Sequence, residues 1–508
     1  MRCDGYCRTS VIRVLSVCVI GKISLEVLMN MYRRFVRVAI IAKIVMLLSA
    51  CATQNADERV PKERWLAGDH HIHSRYSVEY HQDDLPAFTI GRDGVYPIPM
   101  NALMAHHFGL AWTVATDHGG PQHSKINFEL AYPELQLSRA AVPDVIQFYG
   151  MELNSPAADH SSLIVPHTSD ESHVLRDLES RFDTEESWTE DEMRERNQED
   201  RMIEALRTMD QLSDKPVVFA NHPARTGSDL GVYGDTEPRE LRNWNDAAPD
   251  VAVGMEGAPG HQGGPLSENP APRGWYFGYP TMGGFDQMTA RLGGFWDAML
   301  GEGRRWWITA SSDSHRNYIE GGVAFWPGQY AKTYVYAVKN HNSILESLRR
   351  GRVFVTTGDL ISELDVSVAD VNGESGTAQI GGTISVSTPG EIEIRIRVSD
   401  PLGTNHNGDS PQVARIDLIV GDITGPSEDR TLGNNESTKV VNRFSASDWQ
   451  RHGEILEMSH TISISGPIYI RVRGTNTNEA EPAVDPADEN PWPDLWFYSN
   501  PVFVEIRR

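Results

Sequence analysis

The sequence predicts an α/β barrel of parallel strands followed by an all-β sandwich. Two observations predict it. Between residues 64 and 315, five short apolar runs each end in a cluster of metal-ligand side chains, and after about Ser362 the hydrophobic period changes to two. The five runs do not alternate, which is how strands buried on both faces read. Helical patterns lie between them, such as Met202, Ile203, Leu206, Met209 and Leu212, and the stretch from Met100 to Leu110. Strand, cluster, helix and strand in repetition describe a barrel whose active site lies at the carboxyl ends of its strands.

The first 51 residues read as a leader. Arg33, Arg34 and Arg37 precede an apolar stretch that ends in Leu48-Ser49-Ala50-Cys51. That charge order is a signal peptide's, and its end resembles the lipobox of bacterial lipoproteins. The expectation is lipid anchoring through Cys51, facing the periplasm or in the outer membrane of a Gram-negative cell, with the true start at Met29 or Met31. Residues 52–63 read as a polar tether.

The body of the chain is acidic. Residues 51–508 hold 38 Lys/Arg against 68 Asp/Glu, a net charge of −30. Such a charge repels phosphate backbones, so the expectation is no nucleic-acid partner and membrane contact through the N-terminal lipid only. All four cysteines lie at or before Cys51, so a chain matured there has no internal disulfide. It also has no thiolate metal site, and any metal is left to His, Asp or Glu.

The barrel segment, 64–358, carries those ligand types where strands should end. Arg64–Ala67 leads to Gly68-Asp69-His70-His71-Ile72-His73-Ser74. Leu110–Ala115 leads to Thr116-Asp117-His118. Val145–Tyr149 leads to Gly150-Met151-Glu152, with His160 following. Val217–Ala220 leads to Asn221-His222-Pro223, and Trp306–Ala310 to Ser311-Ser312-Asp313-Ser314-His315. In His71-x-His73 both side chains leave an extended strand on one side, and Asp313-x-His315 repeats the device. Glu152 has two oxygens with which to bridge two ions. A nitrogen-rich set of this kind suits zinc, manganese or iron rather than calcium.

The five motifs together resemble the polymerase-and-histidinol-phosphatase (PHP) superfamily of metal-dependent phosphoesterases over about residues 65–358. The resemblance implies a distorted, TIM-like (β/α)7 barrel with two or three divalent ions. It implies that His71, His73, Glu152 and Asp313 hold one ion, and that Glu152, His160 and His222 hold a second. A third would fall to His118 and His315 with the residue six places after the HxH motif, which is Glu79, with His81 as a neighbour. The amidohydrolases also open with HxH but require a bridging lysine. The bridging place here is a glutamate.

Neither a Gly-x-Ser-x-Gly motif nor a cysteine nucleophile is present in the body, so water is the expected nucleophile. Asp117, or His261 at the mouth, is the candidate proton donor, Asp117 having a supporting role beside His118 as its alternative. Arg225 and Arg316 follow ligand clusters directly and are candidates to grip an anion. Glu256 ends another apolar run and is placed near the mouth. The implied function is hydrolysis of a small phosphoester. The alternatives are a PHP-type hydrolase of carboxyl or carbamate esters or amides, favoured if Trp112, Trp306 and Trp307 line a pocket, and a non-catalytic envelope binding lipoprotein.

Residues 362–508 close the chain with short alternating strands. Ile392, Ile394, Ile396 and Val398 interleave with Glu391, Glu393, Arg395 and Arg397, and Gly/Asn/Asp turns separate the runs. That pattern reads as an antiparallel β-sandwich.

Overall fold

Nine strands of the computed structural model precede two that pair antiparallel beside the first. Arg64–Asp69 is β1, and an antiparallel pair, β2 (Val78–Glu79) and β3 (Thr89–Ile90), follows it. Next come β4 (Trp112–Ala115), β5 (Ile146–Asn154), β6 (His160–Val165), β7 (Val217–Asn221), β8 (Ala252–Ala258) and β9 (Trp307–Ala310). The structure describes residues 62–507 apart from 80–88, 91–92, 261–275, 277, 372, 374, 388, 487 and 488. The leader, Cys51 and the tether as far as residue 61 lie outside the described residues. Among the described residues no helix is long and apolar enough to cross a membrane.

The fold is mixed α/β, built on large sheets, and departs from an all-parallel barrel. Strands β1, β4 and β5 run parallel, as do β7, β8 and β9, but β6 is antiparallel to both β5 and β7. Residues 155–159 alone join β5 to β6, too short for the crossover of a dozen or more residues that parallel neighbours need. β10 (Ala331–Ala337) returns antiparallel to β1, and β11 (Val353–Thr357) pairs with β10. Every residue of β7, β8 and β9 is buried, as their unbroken apolar runs require. Helix Glu199–Asp210 buries Met202, Ala205, Leu206 and Met209 on one face.

Side chains continue the sheet where its ladder stops at β9. Thr333 Oγ1 accepts from the Ala310 amide at 2.7 Å and donates to the Ala310 carbonyl at 2.6 Å. Asn500 likewise accepts from the Ile308 amide at 2.9 Å and donates to its carbonyl at 3.2 Å. Both residues thus supply the partners that a neighbouring strand would otherwise provide.

Beyond Thr357 the chain is all β. β12 (Glu363–Asp370), β13 (Thr377–Gln379), β14 (Thr383–Val386), β15 (Gly390–Ser399), β16 (Arg415–Asp422), β17 (Lys439–Phe444), β18 (Gln450–His452), β19 (Ile455–Ile464), β20 (Ile468–Thr475), β21 (Trp496–Ser499) and β22 (Val502–Ile506) follow in order. Five of them form an antiparallel sheet in the order β13-β12-β15-β19-β18. The period of two holds there: Ile392, Ile394, Ile396 and Val398 are buried. The other six join the sheet that holds β1 and β4–β11, because β21 pairs with β11. Lys62–Arg508 is accordingly one compact unit. A buried ion pair adds to the seam, with Asp297 accepting from Arg471 Nε at 2.8 Å, Arg471 Nη2 at 2.7 Å and the Tyr469 hydroxyl at 3.0 Å.

Candidate metal centre

The ligand-bearing turns touch one another through their backbones. His71-Ile72-His73 continues β1 and lies beside Asp313-Ser314-His315, which follows β9; the His73 amide donates to the Ser314 carbonyl at 2.9 Å. On its other side Ile72 is held by Thr116, whose amide donates to the Ile72 carbonyl at 2.9 Å. His118 and Glu152 are bridged in the same way, the Glu152 amide donating to the Asp117 carbonyl at 3.1 Å. Two residues of these turns have left-handed backbones although neither is glycine: His222 at φ 28° and Asp313 at φ 45°. Each such conformation costs on the order of 1–3 kcal/mol and persists only where its surroundings enforce it. The Glu256 carboxylate accepts from the His222 amide at 2.7 Å, and Asp69 accepts from the Ser312 amide at 3.1 Å.

These turns gather nitrogen and carboxylate donors into one buried group. His71 Nε2 lies 3.0 Å from Glu152 Oε1 and 3.1 Å from Asp313 Oδ1. His73 Nε2 lies 3.2 Å from Glu152 Oε2 and 3.0 Å from the same Asp313 oxygen. Glu152 Oε1 also faces His222 Nε2 at 3.1 Å and His160 Nδ1 at 3.3 Å, while Oε2 faces His118 Nε2 at 2.9 Å. A further group joins His73, Asp93, His118 and His315, with His315 Nε2 at 3.1 Å from Asp93 Oδ1. Asp159 adds a carboxylate beside His160 and His222.

The donor set fits cations. Within each group the ligand atoms all lie within 4.8 Å of one another. Glu152 Oε2 and His222 Nδ1 are buried without a hydrogen bond of proper geometry, although polar atoms surround them. Burial alone would raise the Glu152 carboxyl, but His118, His71 and His160 hold it well below the usual carboxylate range. Burial likewise opposes charge on His73, yet Asp313, Glu152 and Asp93 lift it to about 10. Crowded carboxylates therefore demand positive charge at this spot, which divalent ions would supply.

The five sequence motifs have become one His/Asp/Glu cluster. In site as in sequence, the chain resembles the PHP superfamily. No family model matches the chain, and no curated protein matches it. Among solved structures, it is similar to a two-domain protein from Bacteroides vulgatus described as containing a predicted PHP-like metal-dependent phosphoesterase. The identity is 14%, with 85% of this chain and 96% of that one covered at a TM-score of 0.33. It is also similar to Endonuclease Q in complex with a 27-mer duplex bearing an abasic lesion at the active site. There the identity is 13%, with 64% of this chain and 60% of that one covered at a TM-score of 0.28. That protein holds a DNA duplex, at variance with the expectation of no nucleic-acid partner, which is not carried further. Net charge describes the whole surface, whereas binding at such a site answers to its local groups.

Around these donors, a supporting set fixes ring orientation. His71 Nδ1 donates to Glu256 at 2.8 Å, and Ser311 donates to the same carboxylate at 2.5 Å. His73 Nδ1 pairs with Ser77 Oγ at 2.9 Å, and Asn221 Nδ2 donates to Glu152 at 2.9 Å. Glu256 thus lies behind His71 and His222 rather than at the mouth, with no measurable exposure. Such partners select which imidazole nitrogen faces the ion.

Several expected roles change. Asp117, a candidate proton donor, commits its carboxylate to the Ser74 amide at 2.5 Å and the Ser74 hydroxyl at 2.8 Å, so it is a buried support beneath the HxH turn. His261 and His81 lie outside the described residues. Glu79 stands in β2 and its side chain is outside them too, while Asp93 completes the group assigned to a third ion. Arg225 is beside the cluster: Nε and Nη2 donate to Asp159 at 3.1 and 2.6 Å, and Nη2 is 3.4 Å from His160 Nδ1. Arg316 is exposed and donates to the Glu320 carbonyl at 3.2 Å within its own turn, so it is not among the gathered groups. Trp112, Trp306 and Trp307 pack in the core, Trp112 donating to the Leu66 carbonyl and Trp307 to that of Arg349, so they line no pocket at the metal cluster. Asp93 and Asp159 were missed. Asp159 adjoins His160 in sequence, a usable signal, whereas Asp93 carries none.

Proposed function

We propose that the chain is a PHP-type, metal-dependent phosphoesterase. One observation carries this reading: Glu152, with both oxygens among five imidazoles from four different turns, is placed to bridge ions. His71, His73, Glu152 and Asp313 would hold one zinc, manganese or iron ion; Glu152, His160 and His222 a second; His118, His315 and Asp93 a third. Divalent ions in such a set lower the pKa of water and offset charge that develops on phosphoryl oxygens.

The chain's own residues do the rest. Glu256 and Ser77 fix the tautomers of His71 and His73, so that the Nε2 atoms face inward. Asp159 holds the Arg225 guanidinium beside His160, which puts a fixed positive charge next to the cluster. That nearby cation favours a phosphoester over the carboxyl-ester alternative, and the burial of the three tryptophans removes the feature that would have favoured the latter.

The test uses the full-length chain, reconstituted in turn with manganese, zinc or iron. It is assayed against phosphomonoesters, phosphodiesters, an abasic-site duplex and carboxyl esters, with His222→Ala as control. Metal-dependent phosphoester hydrolysis that is lost in His222→Ala is the expected result. Hydrolysis of carboxyl esters alone, or activity unchanged in the variant, would contradict the reading. An envelope location through acylated Cys51 belongs to the same proposal and rests on Leu48-Ser49-Ala50-Cys51. Cys51→Ala should then move the protein from the membrane to the soluble fraction.

A further inference from the structure

We infer that Asp286, locked in place by Asp485 of the all-β part, is a positioning residue for His222. The inference rests on the reading of His222 as a holder of the second ion. His222 keeps a left-handed backbone, φ 28°, which a histidine adopts only where its surroundings enforce it. Glu256 enforces it from one side by accepting the His222 amide. Asp286 enforces it from the other.

Asp286 lies just before helix Gln287–Ala290 and is fully buried. Its Oδ2 accepts from the Ala224 amide at 2.9 Å and from the Tyr276 hydroxyl at 2.6 Å, and its Oδ1 accepts from the Met288 amide at 2.7 Å. Ala224 follows His222 by two residues, and the Arg225 amide closes the same turn by donating to the His222 carbonyl at 2.9 Å. The Asp286 amide donates to the Gly257 carbonyl at 2.8 Å, next to Glu256. Both supports of the His222 turn therefore meet at residue 286.

Residue 286 is in turn fixed from the all-β part. Just before it, Met282 and Phe285 exchange two backbone hydrogen bonds, at 2.8 and 3.0 Å, and so close a turn. The loop between β20 and β21 grips that turn through Asp485, which is 1% exposed. Asp485 Oδ1 accepts from the Gly283 amide, and Oδ2 from the Gly284 amide and the Thr281 hydroxyl, all at 2.8 Å. The Asp485 amide donates back to the Thr281 carbonyl at 2.9 Å. Two successive amides reach one carboxylate because Gly283 and Gly284 both have left-handed backbones, at φ 56° and 80°. A Cβ on Gly283 would also stand 2.7 Å from Trp496 Nε1 in β21.

Hydrogen bonds to a buried carboxylate are strong and directional. Loosening either acid lets the turn shift and draws His222 Nε2 away from Glu152 Oε1, which it now faces at 3.1 Å. The all-β part thus shapes the metal centre without supplying a donor to it.

The test uses the full-length chain loaded with cobalt(II), whose absorption bands and stepwise affinities report each ion separately. Asp286→Asn should weaken the ion that His222→Ala removes by about 10- to 100-fold and shift its absorption band, while the other ions keep wild-type affinity. Asp485→Asn should weaken the same ion to a smaller extent. Loss of stability alone would weaken every ion alike. Equal weakening of all ions, or unchanged affinity in both variants, would overturn the positioning role. Should Asp286→Asn fail to fold by circular dichroism, Asp485→Asn decides the matter on the same criteria. Full ion retention in His222→Ala would instead overturn the reading of His222 itself, and this inference with it.

Discussion

His71 donates its Nδ1 proton to Glu256 at 2.8 Å, and its Nε2 thereby meets Glu152 at 3.0 Å. The same Glu256 carboxylate receives the His222 amide at 2.7 Å, so one buried acid holds histidines from two different turns. Glu256→Gln should weaken divalent-ion affinity about 10- to 100-fold without touching a ligand. Titration against a chromophoric chelator measures this. Unchanged affinity would show that Glu256 is merely packed there.

Asp93 and His222 belong to different donor groups. Asp93→Asn should lower the metal content of a fully loaded chain by one ion, and His222→Ala should remove a different one, so the double variant loses both. Elemental analysis of the three proteins decides it. Asp93→Asn with a full complement would remove Asp93 from the ligand set.

The Asp297–Arg471 pair binds helix Phe295–Gly301 to β20, with both side chains 1% exposed. Removing one partner strands a buried charge. Asp297→Ala should cost about 3–5 kcal/mol in chemical denaturation, whereas replacing both residues with apolar ones of similar volume should cost much less.

His123 lies 2.5 Å from Glu179, and its other nitrogen is 3.0 Å from the Tyr76 carbonyl. Burial opposes its charge, but Glu179 outweighs burial and raises the imidazole to about 9 from 6.5. The folded chain thus holds this proton more tightly than the unfolded one. Its contribution to stability, up to roughly 3 kcal/mol, is complete below pH 6.5 and is lost as pH rises from 6.5 to about 9. Denaturation midpoints across that window should fall more steeply in the wild type than in a His123→Gln, Glu179→Gln double variant.

Much of the donor cluster was legible because its residues follow unbroken apolar strands at alternate positions, as His71 and His73 do, and alternation on a strand dictates a shared side. Asp93 was not legible: it follows His73 by twenty residues in an ordinary polar turn, and only folding brings it to His315. The role of Glu256 was misplaced for a related reason, since sequence shows that a strand ends there but not which way its side chain turns. In the fold, the period of two after Ser362 was visible in Ile392–Val398. The antiparallel β6 was overlooked although the short 155–159 link signals it, and the β11–β21 pairing joins residues too distant for any local pattern to reveal.

The most direct measurement is the number of divalent ions retained per chain by the purified full-length protein after gel filtration. At least two ions are expected for the wild type, with a marked loss in Glu152→Ala at unchanged circular dichroism. Fewer than one ion in the wild type, or equal retention in the variant, would contradict the metal centre itself.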